Sequence, residues 1–321
     1  MNYRILRKTC FFLLAVALCC GGQAHAQWQP EQAIRIMVAF KPGGGADTMA
    51  RMLADELSVR TGWQVEVENM TGLGGVNMAQ ALRVQSADGL VLGFGVAETW
   101  TYNLQSLYAG VDSIAGYTFL ASVVPTEVGL VVRANRGWRS MDDMVRNARA
   151  GGRMKLAVLN PRLEDLTRAL ANHFGIEVET LHYRTGAEVL EAVLTGEVHA
   201  GWVSRQQQAD VQAGNVVNLV SGETRKLSMS PRAATLGKYG FDFSAGTRFV
   251  LVAPAGLSGF VQEALVDPIR EILEDKNSRV HQFTSSTFGR PEVESGNDLL
   301  KWLESRHEES TRLLALRDAR Q

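Results

Sequence analysis

The chain has 321 residues, with 33 basic against 34 acidic side chains and a formal net charge of −1. This length is sufficient for the cores of two domains, and the absence of a basic stripe argues against nucleic-acid binding. All three cysteines lie close to the start of the chain, at 10, 19 and 20. Disulfides, thiol catalysis and Cys-ligated zinc are therefore excluded for the remainder of the chain.

The N-terminus has the three parts of a secretory signal peptide. A basic start precedes an apolar run over 11–18, and a small-residue Ala-His-Ala site ends at Ala26. The run is shorter than the ~20 apolar residues that span a bilayer. We therefore expect residues 1–26 to be removed, which predicts a periplasmic protein without cysteine. The alternatives are a retained anchor, or lipidation of Cys19 or Cys20.

The following residues alternate between strand and helix patterns. Apolar residues at every second position predict a strand that ends near residue 40, and helical spacing follows over 49–57. Further strands are predicted at 65–67 and 90–95, with a helix over 76–84 between them. This β-α-β-α-β succession predicts a parallel sheet that is covered by helices.

A second unit of the same kind follows later in the chain. Its predicted elements are strands at 156–159, 180–183 and 200–203 and helices at 165–174 and 187–194. Two units of this kind predict two α/β domains.

Two apolar runs, 128–132 and 249–253, flank the second unit. We interpret them as paired crossover strands, which makes the second unit an insertion into the first. The expected division is domain 1 over 27–126 and 249–321, and domain 2 over 127–248. Amphipathic spacing over the last ~60 residues predicts helices that pack back onto domain 1.

Two glycine-rich loops follow the first two predicted strands. Each combines free backbone N–H groups with a helix N-terminus at the carboxyl end of a strand, an arrangement that suits an anion. The first lacks the Lys-Ser/Thr of a phosphate-binding P-loop, so a carboxylate is the favoured anion. The alternative is that the glycines only form tight turns and that Phe40 belongs to the hydrophobic core. The candidate ligand contacts in these loops are Phe40, Pro42, Gly43, Gly44, Gly45, Asp47, Thr71, Gly72, Gly74, Gly75 and Asn77.

These two blocks resemble the periplasmic solute-binding proteins of tripartite tricarboxylate transporters, also called Bug receptors. The shared features are Phe, Pro-Gly-Gly-Gly and Asp over 40–47, Glu-Asn with a glycine-rich loop over 68–75, Asp-Gly at 88–89, and Ala-Pro-Ala-Gly over 253–256. The resemblance implies a type II periplasmic-binding-protein fold of the α/β class, with two α/β domains, two crossover strands and a ligand cleft between the domains. It also implies a monomer without a cofactor.

The second half of the expected cleft departs from this family. Members usually have a Gly/Ser-rich loop where this chain has Asn-Pro-Arg over 160–162, so the amide of Asn160 or the charge of Arg162 would replace backbone donors. Arg184 has a guanidinium fork that suits a carboxylate, or it is a solvated surface residue. The carboxylate of Glu98 would repel a second ligand anion but could hold an ammonium group. The candidate contacts outside the glycine loops are Glu98, Asn160, Tyr183, Arg184 and Thr185.

The predicted function is capture of a small organic anion by hinge closure. The resemblance implies delivery of this ligand to the permease subunits of a tripartite transporter. Two alternatives stay open: a receptor that reports its ligand to a signalling partner, and a secreted α/β hydrolase. The hydrolase has little support because the sequence has no HExxH, no G-x-S-x-G and no histidine spacing suited to a metal.

Overall fold

A computed structural model describes residues 28–108 and 113–319. The predicted signal peptide, with its three cysteines, lies outside the described residues. Within those two ranges, no helix combines the length and the apolar character that a membrane span requires.

Eleven strands form in the described part of the chain. In chain order they are β1 (Ile34–Val38), β2 (Val65–Asn69), β3 (Val91–Val96), β4 (Tyr117–Pro125), β5 (Gly129–Arg133), β6 (Met154–Val158), β7 (Val178–His182), β8 (Ala200–Val203), β9 (Val216–Ser221), β10 (Ala234–Thr235) and β11 (Arg248–Pro254). They make two sheets. Sheet A has the order β2-β1-β3-β11-β4, and sheet B has the order β10-β9-β5-β8-β6-β7.

Helices pack on both sheets. In chain order the α-helices are α1 (Gly45–Thr61), α2 (Val76–Arg83), α3 (Leu104–Leu107), α4 (Met141–Gly151), α5 (Pro161–Phe174), α6 (Gly186–Thr195), α7 (Gln208–Ala213), α8 (Gly259–Glu274), α9 (Arg279–Thr287) and α10 (Gly296–Asp318). Many begin where the sequence supplies a hydroxyl or amide that accepts a backbone N–H of the first turn. These N-cap residues are Ser140, Asn160, Thr185, Ser258 and Ser278.

Strand β1 shows why sheet A needs a helix layer on each face. Ile34, Ile36 and Val38 lie in one buried cluster, which includes α1 and α8, whereas Met37 faces a second cluster that includes α2. A parallel strand that is buried on both faces has this composition. The β-α-β-α-β succession predicted for the first unit is confirmed as β1-α1-β2-α2-β3.

The two predicted crossover strands exist, but the prediction that they pair with each other is wrong. Strand β5 lies between β8 and β9 in sheet B, and β11 lies between β3 and β4 in sheet A. Each runs antiparallel to both of its neighbours, because each enters its sheet from the other half of the molecule. Strand β4 was not predicted at all, although its run of apolar residues is nearly continuous.

The chain passes twice between the sheets, once after β4 and once before β11. These two passages, 126–128 and 244–247, lie side by side. The N–H of Thr126 donates to the carbonyl of Thr247 at 2.8 Å, and the N–H of Thr247 donates to Oγ1 of Thr126 at 3.0 Å. The domain limits drawn from the sequence stay a prediction, and these hydrogen bonds mark where a hinge between the sheets would lie.

The C-terminal helix α10 reaches both halves of the molecule. Its 23 residues give a length of about 35 Å. Leu299 and Leu303 near its start pack in a cluster on sheet A, whereas Leu313 and Leu314 near its end pack in the main cluster on sheet B. The expectation that the last helices pack onto the first unit alone is therefore wrong for the final turns of α10.

Replacing Leu313 with Ala is expected to lower the free energy of unfolding by about 2–5 kcal/mol, because it opens a cavity in the cluster on sheet B. Leu316 is the matched control on the same helix, since it is 42% exposed. Leu316→Ala should change stability by less than about 0.5 kcal/mol. Equilibrium denaturant unfolding measures both values, and equal effects would contradict the packing of the last turns.

Candidate functional site

The first three strands of sheet A end together at one edge of the sheet. Val38 of β1 pairs with Asn69 of β2 and with Phe94 of β3, and all three strands run parallel. A Cβ on Gly75 would lie 3.2 Å from Cβ of Ala39 and 2.5 Å from Oγ1 of Thr99. The loops that follow β1, β2 and β3 therefore touch one another, which is the arrangement expected of a ligand-binding edge.

Asp47 holds the first glycine loop from the inside. It is 2% exposed, and its carboxylate accepts hydrogen bonds from the N–H of Gly43 at 2.9 Å, from Nδ2 of Asn69 at 2.7 Å and from Nε of Arg51 at 3.1 Å. Burial alone would raise the pKa of Asp47, but these hydrogen bonds hold it below its ordinary value. Asp47 therefore shapes the loop from behind rather than lining its exposed side.

This arrangement determines which N–H groups of the first loop remain free to bind an anion. The N–H of Gly43 is occupied by Asp47, so Gly43 contributes its positive φ of 80° rather than a free donor. Helix α1 begins at Gly45, and the N–H groups of its first turn have no acceptor within the helix. A Cβ on Gly45 would lie 2.9 Å from the Phe288 ring, so any other residue there would require this ring to shift. Gly44, Gly45 and Ala46 are the positions best suited to hold an anion.

The two remaining candidates in this loop have different surroundings. Pro42 is exposed, as the prediction of a contact with ligand requires. Phe40 is half-buried, its ring lies 5.9 Å from that of Phe249, and its carbonyl accepts from Asn69 at 2.9 Å. Phe40 therefore contributes to the core packing in addition to any contact with ligand.

The second glycine loop is held by its carbonyl groups. The carbonyl of Gly74 accepts from Oγ1 of Thr99 and from Nδ2 of Asn103, both at 2.9 Å, and the carbonyl of Thr71 accepts from Nδ2 of Asn77 at 3.0 Å. Residues 72–75 all have positive φ, and the one non-glycine among them, Leu73, is 58% exposed. Successive backbone N–H groups in a turn can form an anion-binding concavity, and in this turn the N–H of Gly75 already donates to the carbonyl of Gly72 at 2.9 Å.

Sequence reasoning missed Thr99 and Asn103 as supports of this loop. Both lie in a π-helical turn, Thr99–Asn103, that follows β3. The signal that could have identified them is the position of two polar side chains just after the third parallel strand of the sheet, at the edge where the glycine loops lie.

Glu98, the residue before this turn, takes part in a buried cluster that reaches sheet B. Arg162 at the start of α5 is 2% exposed; its Nη1 lies 3.5 Å from Oε1 of Glu98, and its Nη2 donates to Oε1 of Glu309 at 2.8 Å and to the carbonyl of Ser244 at 2.6 Å. We call Glu98, Arg162, Ser244 and Glu309 the Arg162 cluster. Burial raises the pKa of Glu98, although Arg162 opposes this shift.

The Arg162 cluster changes the interpretation of two expectations. Arg162 was expected to replace missing backbone donors toward the ligand, but its guanidinium instead faces carboxylates of the protein. Glu98 was expected to face the ligand, but Arg162 is its partner.

A second contact lies beside this cluster: the hydroxyl of Tyr102 donates to Oδ2 of Asp165 on α5 at 2.5 Å, and Tyr102 is fully buried in the cluster on sheet B. The halves are thus joined directly at this end of the cleft.

The candidate contacts from sheet B lie together at the carboxyl ends of β6 and β7, since Val158 pairs with His182 in a parallel register. Each has a local partner. Asn160 and Thr185 cap α5 and α6. The hydroxyl of Tyr183 donates to Oε1 of Glu197 at 2.9 Å, and Arg184 pairs with Glu188 at 3.0 Å while its side chain is 89% exposed. Their contact with a ligand stays a prediction.

Comparison with solved structures identifies the architecture. A TctC solute-binding protein from Polaromonas superposes with a TM-score of 0.76 at 16% identity, over 90% of this chain and 99% of that one. A protein of R. palustris solved with adipate gives 0.71 at 19% identity, over 90% and 98%. MatC from Rhodopseudomonas palustris with bound malate gives 0.68 at 17% identity, over 89% and 99%. Two α/β sheets joined by two connecting passages, with this likeness, show that the chain has the type II periplasmic-binding-protein fold.

The sequence places the chain more narrowly within this class. It belongs to the family described as the tripartite tricarboxylate transporter family receptor, whose model matches residues 49–312. Curated relatives include a UPF0065 protein of Cupriavidus necator, 26% identical over 80% of both chains, and BugT of Bordetella pertussis, 26% identical over 80% of this chain and 81% of that protein. The resemblance drawn from the glycine loops is confirmed, although the matched range begins after the first loop.

Replacing Asp47 with Asn is expected to destabilise the protein by about 1.5–3 kcal/mol at neutral pH, because it removes the charge from buried hydrogen bonds. Since the pKa of Asp47 is held below 3.8 in the folded protein, this stabilisation is present above pH 3.8 and is lost as the pH falls through the folded pKa. The two proteins should therefore converge in stability at strongly acidic pH. Chemical denaturation at several pH values measures the difference.

Asp55→Asn is the control on the same helix. The Asp55 side chain is exposed, and its ion pair with Arg279, at 3.5 Å, is exposed as well. It should have no more than a small effect on stability at any pH. If Asp55→Asn and Asp47→Asn behaved alike, Asp47 would not be the residue that holds the first loop.

Proposed function

We propose that this protein captures a small organic acid between sheets A and B and delivers it to a membrane permease of the tripartite type. The observation that carries this proposal is the pair of touching glycine loops at one edge of sheet A. Each loop has a backbone feature that suits a carboxylate. The first contains the N-terminus of α1, and the second contains successive residues with positive φ.

The way in which the loops are held supports binding of an anion. Asp47 occupies the inner donor of the first loop, and Thr99 and Asn103 bind the carbonyl of Gly74. The carbonyl oxygen of Gly74, which would repel an anion, thus accepts hydrogen bonds from side chains of the protein. The donors are fixed before a ligand arrives, so binding does not have to order them.

The ligand class follows from the donors and from the related structures. Adipate and malate, found in two of the related structures, are dicarboxylates, and we propose the same class for this chain. One carboxylate would lie on the glycine loops, and Asn160, Tyr183, Arg184 and Thr185 would meet the other end. Charge-assisted hydrogen bonds contribute roughly 1.5–3 kcal/mol each, so a few of them reach the −8 kcal/mol or so of micromolar affinity.

The proposal is capture and delivery rather than catalysis. The groups that converge on this edge of sheet A are mainly backbone N–H groups, which hold a carboxylate without transforming it. Residues 1–26 would direct export, so the mature chain would act in the periplasm as a monomer. Closure of sheet B toward sheet A would turn on the passages at Thr126 and Thr247.

A screen of dicarboxylates, tricarboxylates, aromatic acids and amino acids by thermal unfolding should find ligands that raise Tm. A concentration about a hundredfold above Kd is expected to raise Tm by roughly 5 °C. The amide or ester of the same acid should give no shift, because it lacks the charge. A screen in which only neutral sugars raise Tm would contradict the proposal.

The variant that tests the first loop is Gly44→Val. Gly44 has extended backbone angles, φ −79° and ψ 164°, and the nearest atom to an added Cβ is the Lys41 carbonyl oxygen at 3.5 Å. A Cβ therefore has room at this position, and the valine side chain would cover the donors, so the shift caused by the acid should disappear while unfolding stays cooperative. Gly259→Val, at the first position of α8 with open space around it, is the control that should keep the shift.

A further inference from the structure

The second glycine loop has one apolar side chain among its positive-φ residues, that of Leu73. Leu73 is 58% exposed, and among the described residues it joins none of the hydrophobic clusters on the two sheets. Its φ of 49° is the only positive φ of a residue other than glycine in the described ranges. Bulky residues rarely adopt this left-handed backbone, and residues held in it cluster at functional sites. A leucine here therefore gains neither burial nor a relaxed backbone from the protein's own contacts.

The glycines on either side show which way the side chain of Leu73 is turned. A Cβ on Gly72 would lie 2.2 Å from Nδ2 of Asn77. A Cβ on Gly74 would lie 2.5 Å from Nδ2 of Asn103. A side chain at either glycine would require its neighbour to shift, whereas the side chain of Leu73, between them, lies mainly in solvent. Because the loop lies at the carboxyl edge of sheet A, this apolar side chain stands beside the backbone groups of the proposed carboxylate site.

The first glycine loop adds two apolar side chains to the same edge. Pro42 is exposed and Phe40 is half-buried. The two loops touch, because a Cβ on Gly75 would lie 3.2 Å from Cβ of Ala39. An acid whose carboxylate lies on the backbone donors would therefore have an apolar border on both loops.

The polar side chains that hold the two loops are already hydrogen-bonded within the protein. Asn69 donates from Nδ2 to Asp47 at 2.7 Å, and its Oδ1 accepts from Nη2 of Arg51 at 2.8 Å. The hydroxyl of Thr99 donates to the carbonyl of Gly74 at 2.9 Å. A hydroxyl group on a ligand would compete with these contacts, and burial of a hydroxyl without a partner weakens binding. This edge of sheet A thus suits a carbon chain without hydroxyl groups.

We infer that Leu73 determines specificity by selecting acids with an apolar carbon chain, such as saturated dicarboxylates, over acids with hydroxyl groups on that chain. The inference rests on the proposed function and specifies which acid the site prefers. One carboxylate lies on the backbone donors, and the methylene groups next to it pack against Leu73 when sheet B closes over the ligand. Burial of about half of a leucine side chain corresponds to about a tenfold change in affinity. Binding then offsets the cost of an exposed leucine with positive φ.

The test uses adipate, succinate and malate, which have the same charge. Malate is succinate with one hydroxyl group, and adipate is succinate with two more methylene groups. Calorimetric titration of the full mature chain should give the tightest binding for adipate and the weakest for malate. In Leu73→Ala the preference for adipate over malate should decrease by about tenfold, because the alanine side chain is too short to cover the carbon chain. An unchanged preference in Leu73→Ala would overturn the inference.

Two further variants separate selection from a structural role of Leu73. Leu73→Asn keeps a side chain of similar length, and Asn tolerates a left-handed backbone better than leucine does. This variant should lose the preference for adipate although its Tm without ligand does not fall. Leu316→Ala is the matched control, since Leu316 is 42% exposed on α10, and it should keep the preference. A preference that survives in Leu73→Asn, or that is lost equally in Leu316→Ala, would contradict selection by Leu73.

The same titrations distinguish failure of this inference from failure of the proposed function. If none of the three acids binds to the wild type, the proposed dicarboxylate class is wrong and the inference falls with it. If the acids bind but malate binds as tightly as adipate, the proposed function stands and the inference alone is overturned. Tighter binding of adipate in the wild type, lost in both Leu73 variants, supports the inference.

Discussion

The buried guanidinium of Arg162 is the constraint on which the relation between the two halves depends. It contacts Glu98 from the loop after β3, Ser244 in the second passage and Glu309 on α10. The desolvation of a buried ion pair offsets much of its attraction, so the cluster need not add net stability. Loss of Arg162, however, would leave the buried carboxylate of Glu98 without the cation that pairs with it, and an arrangement that separates Arg162 from both carboxylates has the same penalty. The cluster therefore specifies how sheet B faces sheet A.

The glycine loops depend on a related device at smaller scale. A loop whose backbone donors bind a ligand needs hydrogen-bond partners for its other backbone groups, and the two loops find these partners in different ways. In the first, a side-chain carboxylate takes the inner N–H of Gly43; in the second, Thr99 and Asn103 take the carbonyl of Gly74. Glycine loses much conformational entropy on folding, so loops of this kind require such fixed contacts. The result is that both loops at this edge of sheet A are held in place by side chains of the protein.

The sequence was informative where structure is local. Strand and helix periods predicted the β-α-β-α-β order of the first unit, and the two glycine loops lie together at one edge of sheet A as expected, whereas their contact with a ligand stays a prediction. It failed on contacts between distant segments. An arginine after Asn-Pro in a βα loop looks exposed, and the burial of Arg162 depends on carboxylates that lie 64 and 147 residues away. The prediction that β5 and β11 pair with each other was wrong for the same reason. The sequence of each strand shows that it is apolar but does not show which strands are its neighbours.

The strand order of the two sheets indicates which residues move most during the proposed closure. The passages join β4 to β5 and lead into β11, whereas β7 is the opposite edge of sheet B and lies three strands from β5. With strands about 4.8 Å apart, the loop after β7 is roughly 14 Å from the passages, so a rotation of 20° displaces it by about 5 Å. Arg184 follows β7, so its exposure in this arrangement is what an open cleft requires of a residue that meets the ligand only on closure.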